Sequence, residues 1–511
     1  MASGKRVVVV GGGIGGLCTA GLLKKGGFRE VTLLEKNAEL GGRLSTEVID
    51  GYRFDTGPSL LLFPQTYKEM FSALGVSGVE LEEIKPAAYR LFFGGDGSVG
   101  DTLDLLGDEE QMAAQFEARE KGAGQRYLEF LRMARGALEL GMPNFIERDL
   151  SKLRASSLLE LLPQAMKVNP LELLGPLDLV LRGFFKSLKL RQAFTFQTLY
   201  VGLTPYTAPG VFSLLAATEL TDGVWYPKGG FGSVRDGVVD AIGELGVDIV
   251  TSTDVEGIVV EEGRVVGVRT STGVVEADIV VCNRDLADAY RMVEGDSLAV
   301  GYAESKHQAL GKKKYSNGVI SYLFGVDKRV DKLLHHNVFV NASDPKRAWR
   351  PVRRAGELLP YPNFYVHVPS KTDRTAAPDG HDSIMVLLPV ANLQEMSASD
   401  VDELVMAGRR TVIDFMTEAT GDAFEEHIVA EKIINPVEWR RRYNLRYGAA
   451  FGLAHGLDQL SLFRPPAEDE TIEGLFFAGA STRPGNGVPL VMIGARLVAE
   501  SITERYRERA L

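Results

Sequence analysis

Near the start of the chain, three glycines and one carboxylate have the types and spacing needed to grip a dinucleotide. Gly11, Gly13 and Gly16 form a G-x-G-x-x-G turn, with Ile14 and Gly15 inside it, and Glu35 follows. In such a turn the first glycine permits the bend. The second admits a pyrophosphate against the backbone, and the third lets helix and strand pack closely. Free N–H groups at the start of the next helix add a positive dipole end for phosphate. A carboxylate about 20 residues on accepts ribose hydroxyls and disfavours a 2′-phosphate. A glycine turn alone matches by chance, so the flanking elements decide.

Those elements are in register. Val7 to Val10 read as a strand buried on both faces, residues 17–25 as a helix stopped by Gly26 and Gly27, and residues 31–35 as a second strand. Strand, turn, helix, strand and acid together predict dinucleotide binding over a merely structural βαβ unit. After Glu35 and Lys36 come two more glycine turns, Gly41-Gly42-Arg43 and Asp55-Thr56-Gly57-Pro58-Ser59. Arg43 can reach a phosphate, and Gly57 and Ser59 can bring backbone close to a ring. In isolation both would read as surface loops. The other end of the chain carries "GASTRPGNGVPLVMIGAR", residues 479–496, after the apolar run "GLFF". It predicts a buried strand, a specialised turn, and an apolar helix with Pro489 in its first turn.

The order of these segments resembles the flavin amine oxidase superfamily. More narrowly, nearly the whole chain resembles its carotenoid desaturase and isomerase branch, the bacterial- and fungal-type phytoene desaturases. The resemblance is carried by "FDTGPSLLLFPQTYKEMFSALG", "LRQAFTFQTLYVGLTPYTAPGVFSLLAATELTDGVWYPKGGFG", "NFYVHVPSKTDRTAAPDG" and "GASTRPGNGVP". It implies an α/β chain: a glutathione-reductase-like Rossmann FAD domain, a mixed-sheet substrate domain and a helical membrane-facing lid. The FAD part would come from residues 1–100, 225–290 and 466–511, the helical part from 101–224, and the substrate sheet from 291–465. FAD would then lie against the first glycine turn, Glu35, Lys36, Gly42, Arg43, Gly57, Pro58 and Ser59, with Val255 at the adenine. Gly479, Ala480, Val488, Pro489 and Met492 would hold the ribityl chain, the last helix facing the flavin edge where negative charge accumulates.

The same resemblance implies desaturation of a phytoene-type polyene by hydride transfer to flavin. The branch also holds cis–trans isomerases and retinol saturase-like enzymes that use reduced flavin. A flavin-bound carotenoid or lipid carrier, and a soluble amine oxidase, are the remaining alternatives. The chain departs from the family at Arg483, where His is common, and at Ser481, where Gly is common. Arg483 is either a polar group beside the flavin, and so the candidate catalytic residue, or a solvated arginine bonding its own turn. Glu219 and Asp222 are weaker candidates.

Residues 156–194 are rich in Leu and Phe, broken by Pro163, Pro170 and Pro176, and dotted with Lys167, Arg182, Lys186 and Lys189. This composition predicts an interfacial lid through which a water-insoluble substrate enters; a core-packing helical cap is the plainer alternative. Four apolar–polar runs between residues 316 and 390 predict an antiparallel floor for a long tunnel. The basic stretch 344–356 reads as a solvated loop, or as a second membrane contact. His335-His336 reads as a surface pair, with no third metal ligand at useful spacing.

The remaining features are exclusions. A net charge of −11 argues against bulk nucleic-acid binding. Two cysteines, Cys18 and Cys282, lack partners at ligand spacing, which argues against a disulfide framework and a zinc site. No targeting peptide or apolar run of about 18–20 residues is visible. The expected location is therefore peripheral to a membrane, in cytoplasm or plastid, with oxygen or quinone as acceptor.

Overall fold

The computed structural model describes residues 3–97, 99–150 and 173–506. Its first sheet is five-stranded and wholly parallel, in the order Leu475–Phe477, Ile279–Cys282, Ser3–Val10, Phe28–Leu34, Asp248–Val250. Val8 is central, paired with Val280 on one side and Thr32 on the other. Strands from the start, middle and end of the chain thus lie side by side. Val7, Val8 and Val9 are buried on both faces, as a continuous apolar run requires.

Two helices cover one face. Helix Ile14–Lys25 buries Leu17, Cys18, Ala20 and Leu23, and helix Val488–Tyr506 buries Val491, Met492, Ala495 and Val498 against it. Full burial of each large aliphatic contributes roughly 1.5–3 kcal/mol. The opposite face carries a smaller four-stranded sheet built on Val255–Glu261. Cys18 and Cys282 are both buried and unbridged.

The second large sheet has seven strands, in the order Ile428–Ile434, Gly318–Val326, Asp382–Val390, Phe364–His367, His336–Asn341, Ala87–Gly94, Thr102–Leu106. Its pairs are antiparallel except His336–Asn341 with Ala87–Gly94. The alternating pattern expected from sequence gives way to strands buried on both faces. The 23-residue helix Ala398–Thr420 packs on the far side through Leu404, Val412, Phe415 and Met416, so no face is left for water.

Of the expected lid, residues 156–172 lie outside the described residues. The described remainder includes helices Leu177–Phe184 and Leu188–Gln192; Leu177, Leu181 and Leu190 from them, with Phe185 between them, join the aromatic core with Phe116, Tyr127 and Phe130. Leu174 and Leu179 stay exposed. Among the described residues, no helix is long and apolar enough to cross a membrane. Part of the basic stretch 344–356 is a short helix, Pro345–Ala348, and Arg353 pairs with Glu395.

Candidate active site

A cavity of about 660 Å³ runs from the first glycine turn to the seven-stranded sheet. At one end its wall is Gly11, Gly13, Ile14 and Gly15, at the start of the helix that follows the first strand. Close packing leaves no room for a side chain at Gly13, Gly15 or Gly16. A Cβ on Gly16 would lie 2.1 Å from the carbonyl oxygen of Gly11, and one on Gly13 would lie 2.7 Å from Asn283 Oδ1. Gly16 therefore serves the packing behind the turn and is not part of the wall. Glu35 is buried and lines the cavity. Its Oε2 accepts from Gly12 N at 2.8 Å and its Oε1 from Asn37 N at 2.8 Å. The carboxylate thus orders the glycine turn itself.

The two later turns join the same wall. Gly42, Arg43, Gly57, Pro58 and Ser59 all face the cavity. Arg43 donates from Nη1 to Ala450 O at 2.7 Å, and burial lowers its pKa while Asp285 opposes that shift. Lys36 and Val255 line the same cavity. Lys36 Nζ is held by Arg441 O at 3.0 Å and Asn444 Oδ1 at 3.4 Å. From the far end of the chain, Gly479, Ala480, Val488 and Pro489 complete the wall. Two helices, starting at Ile14 and Val488, therefore begin at one cavity.

Met492 and Arg483 stand apart. Met492 is fully buried in the helix packing and is not on the wall. The guanidinium of Arg483 is half-buried and turned to the neighbouring loop, donating to Arg464 O at 3.0 Å and Leu462 O at 2.8 Å. Glu219 is buried behind the cavity wall, accepting from Tyr89 OH at 3.0 Å and Gln197 Nε2 at 2.9 Å; burial pushes its carboxyl up to about 8. Asp222 is exposed at a helix end.

Several site residues carried no sequence signal. Asp285 lines the cavity and accepts from Ser481 Oγ at 3.2 Å and Tyr315 OH at 3.2 Å. Burial, with Asp288 nearby, pushes it up to about 6. His455 also lines the cavity, fixed between Val201 O at 3.3 Å and Asn486 N at 3.4 Å, and burial keeps it neutral. Arg464 is 1% exposed and donates to the carbonyls of Leu453, Ala454, Gln459, Ala480 and Thr482. It pins the last turn to the loop before it, and burial lowers its pKa to about 9. Tyr365, Val319 and Leu387 bring the large sheet into the same cavity, as its expected floor.

The expectation for His335-His336 is overturned. Both are buried, and strand pairing sets His336 opposite His367, so three histidines have ring nitrogens within 4.8 Å of one another. Chain spacing could not show this, because His367 arrives through an antiparallel neighbour. Its only trace in the sequence is the "YVH" of an apolar run.

A glycine turn with no room for side chains at Gly13, Gly15 and Gly16, a buried carboxylate beside it and two helix N-termini fit a flavin adenine dinucleotide. The model of the flavin containing amine oxidoreductase family matches residues 14–503. The phytoene desaturase of Fusarium fujikuroi is 36% identical, covering 98% of this chain and 89% of its own. The carotenoid 3,4-desaturase of Haloarcula japonica is 34% identical, covering 98% and 99%. The zeta-carotene-forming phytoene desaturase of Myxococcus xanthus is 35% identical, covering 98% and 94%. The fold also matches a crystal structure of an oxidoreductase from Methanosarcina mazei at a TM-score of 0.67 and 17% identity, covering 97% of this chain and 100% of that one. The chain belongs to the flavin containing amine oxidoreductase family. Within it, the chain belongs with the phytoene and carotenoid desaturases, and its cofactor is FAD.

Proposed function

We propose that this chain oxidises a carotenoid or related polyisoprenoid by phytoene-type desaturation. One observation carries the reading: the cavity with the dinucleotide cradle continues to an apolar wall that joins Val319 and Leu387 of the seven-stranded sheet with Leu62 and Phe63 of the loop before helix Pro64–Leu74. A long hydrocarbon has few polar handles, so shape and water exclusion must do most of the positioning. FAD, when bound, supplies the hydride acceptor. Gly11, Gly13 and Gly15 would hold the diphosphate, Glu35 the ribose, and Gly479, Ala480, Val488 and Pro489 the ribityl side. The FAD-binding part is assigned to residues 1–100, 225–290 and 466–511, less strand Ala87–Gly94, which pairs into the seven-stranded sheet, with the rest serving the substrate.

The segment 156–194 would act as the membrane-facing lid, supported by exposed Leu174 and Leu179 at its described end. Leu174 also lines the cavity, so entry from lipid is short. A peripheral membrane location follows, with oxygen or quinone reoxidising the flavin. The test is incubation of FAD-loaded protein in liposomes with phytoene or poly-cis lycopene, followed by product chromatography. Oxidised product with acceptor consumption supports desaturation. Rearrangement without net oxidation would assign isomerisation instead, and no turnover of any polyene would defeat both.

A further inference from the structure

We propose that Tyr365 takes the proton released during desaturation, and that His336 with the His335–His367 pair carries it toward solvent. The inference rests on the desaturase reading above and adds what that reading lacks, a destination for the second hydrogen.

Tyr365 sits on strand Phe364–His367 and lines the cavity beside Ser59, on the wall formed by the third glycine turn. Ser59 Oγ donates to the Tyr365 hydroxyl at 3.0 Å. That hydroxyl lies 2.7 Å from Nδ1 of His336. With Ser59 donating, the Tyr365 hydrogen points to Nδ1, which leaves the His336 proton on Nε2. Among the described residues, Nε2 of His336 is buried without a partner, and so is Nδ1 of His367. Buried polar atoms are nearly always paired, so orphan atoms in one cluster call for an explanation. Nε2 of His335 and Nε2 of His367 are 3.1 Å apart, and Nδ1 of His335 is 2.7 Å from Thr372 Oγ1, at a partly exposed residue. A file of polar atoms therefore leads from the cavity wall to the surface, with one gap at His336 Nε2.

In the step, a C–H bond of the substrate breaks and its electron pair becomes the new π bond. The hydrogen on the adjacent carbon would leave with its electron pair as hydride to FAD, the two-electron oxidant that the desaturase reading supplies. The proton goes to the Tyr365 oxygen as the phenolic proton moves to Nδ1 of His336. The Nε2 proton of His336 passes to the His335–His367 pair and leaves by Thr372 to water. Burial lowers the basicity of all three histidines, so a proton in transit does not settle there. Asp373 faces His335 and favours the charged form, while Arg53 faces His367 and opposes it. Tyr226 and Tyr89 pack on the imidazoles edgewise or tilted. A divalent metal suits this cluster less well. Arg53 adds like charge beside His367, and the His335–His367 spacing is that of a hydrogen bond.

The test is anaerobic stopped-flow reduction of FAD-loaded protein by phytoene in liposomes, in H2O and D2O, with FAD content measured for every variant. Tyr365→Phe should reduce flavin about 100-fold more slowly at unchanged FAD content. Thr372→Val, at the solvent end, should slow reduction about tenfold with a larger solvent isotope effect; a structural role for Thr372 would not enlarge it. This variant carries the test alone should Tyr365→Phe lose FAD. An active wild type with Tyr365→Phe equally fast, or with no change of isotope effect in Thr372→Val, overturns the relay. One equivalent of tightly bound zinc in the purified protein overturns it too. A wild type whose flavin no polyene reduces defeats the desaturase reading, and the relay with it.

Discussion

Replacing Glu219 with Gln should make the protein markedly more stable at alkaline pH. The carboxyl of Glu219 is buried, with Tyr89 OH and Gln197 Nε2 on its two oxygens. Burial raises it from 4.5 to about 8, and the two donors offset only part of that shift. Because the folded-state value is the higher one, the native protein holds a proton that the unfolded chain releases. The stability that this group contributes is therefore full below pH 4.5 and is lost as pH rises toward 8. At about 1.4 kcal/mol per pH unit, the loss is on the order of 5 kcal/mol. Unfolding entropy of about 2.1 cal/mol/K per residue makes this roughly 5 °C in the melting temperature of a chain this long. Glu219→Gln removes the titration and keeps the contacts. Oε1 of Gln197 has no partner among the described residues, so a flip of that amide lets it accept from the new Gln. Melting followed by fluorescence from pH 5 to 8 should show a flatter profile for the variant than for the wild type. Parallel profiles would refute the assignment of a buried, protonated carboxyl.

Gly16→Ala drives a methyl into Gly11 O at 2.1 Å, so purified protein should carry no FAD by absorbance. Arg464→Met leaves five carbonyls of the last turn without their donor, and should lower stability by roughly 3–5 kcal/mol and release FAD on gel filtration. Arg483→Ala should keep full FAD content and turnover, since its guanidinium serves Leu462 O and Arg464 O; a 100-fold loss of turnover would restore it as a catalytic residue. Truncation before Gly479 should abolish FAD binding, because the central sheet loses the helix that packs on its glycine turn.

Local rules made part of this protein legible before any tertiary contact was known. The turn at Gly11 to Gly16 can be read because only glycine permits that approach of backbone to backbone, and Glu35 because its distance along the chain is set by one helix and one strand. The apolar helix after Val488 showed itself by composition and by Pro489. Tertiary structure alone decided what meets across long chain separations. Strand register sets His336 opposite His367, and sheet-to-turn packing sets Tyr365 against Ser59, 306 positions away. The direction of Arg483 was settled by carbonyls that a loop happens to present. Such contacts depend on the summed packing of distant elements, which no local pattern encodes. Propensity and periodicity therefore set the cradle, and packing set the polar chemistry around it.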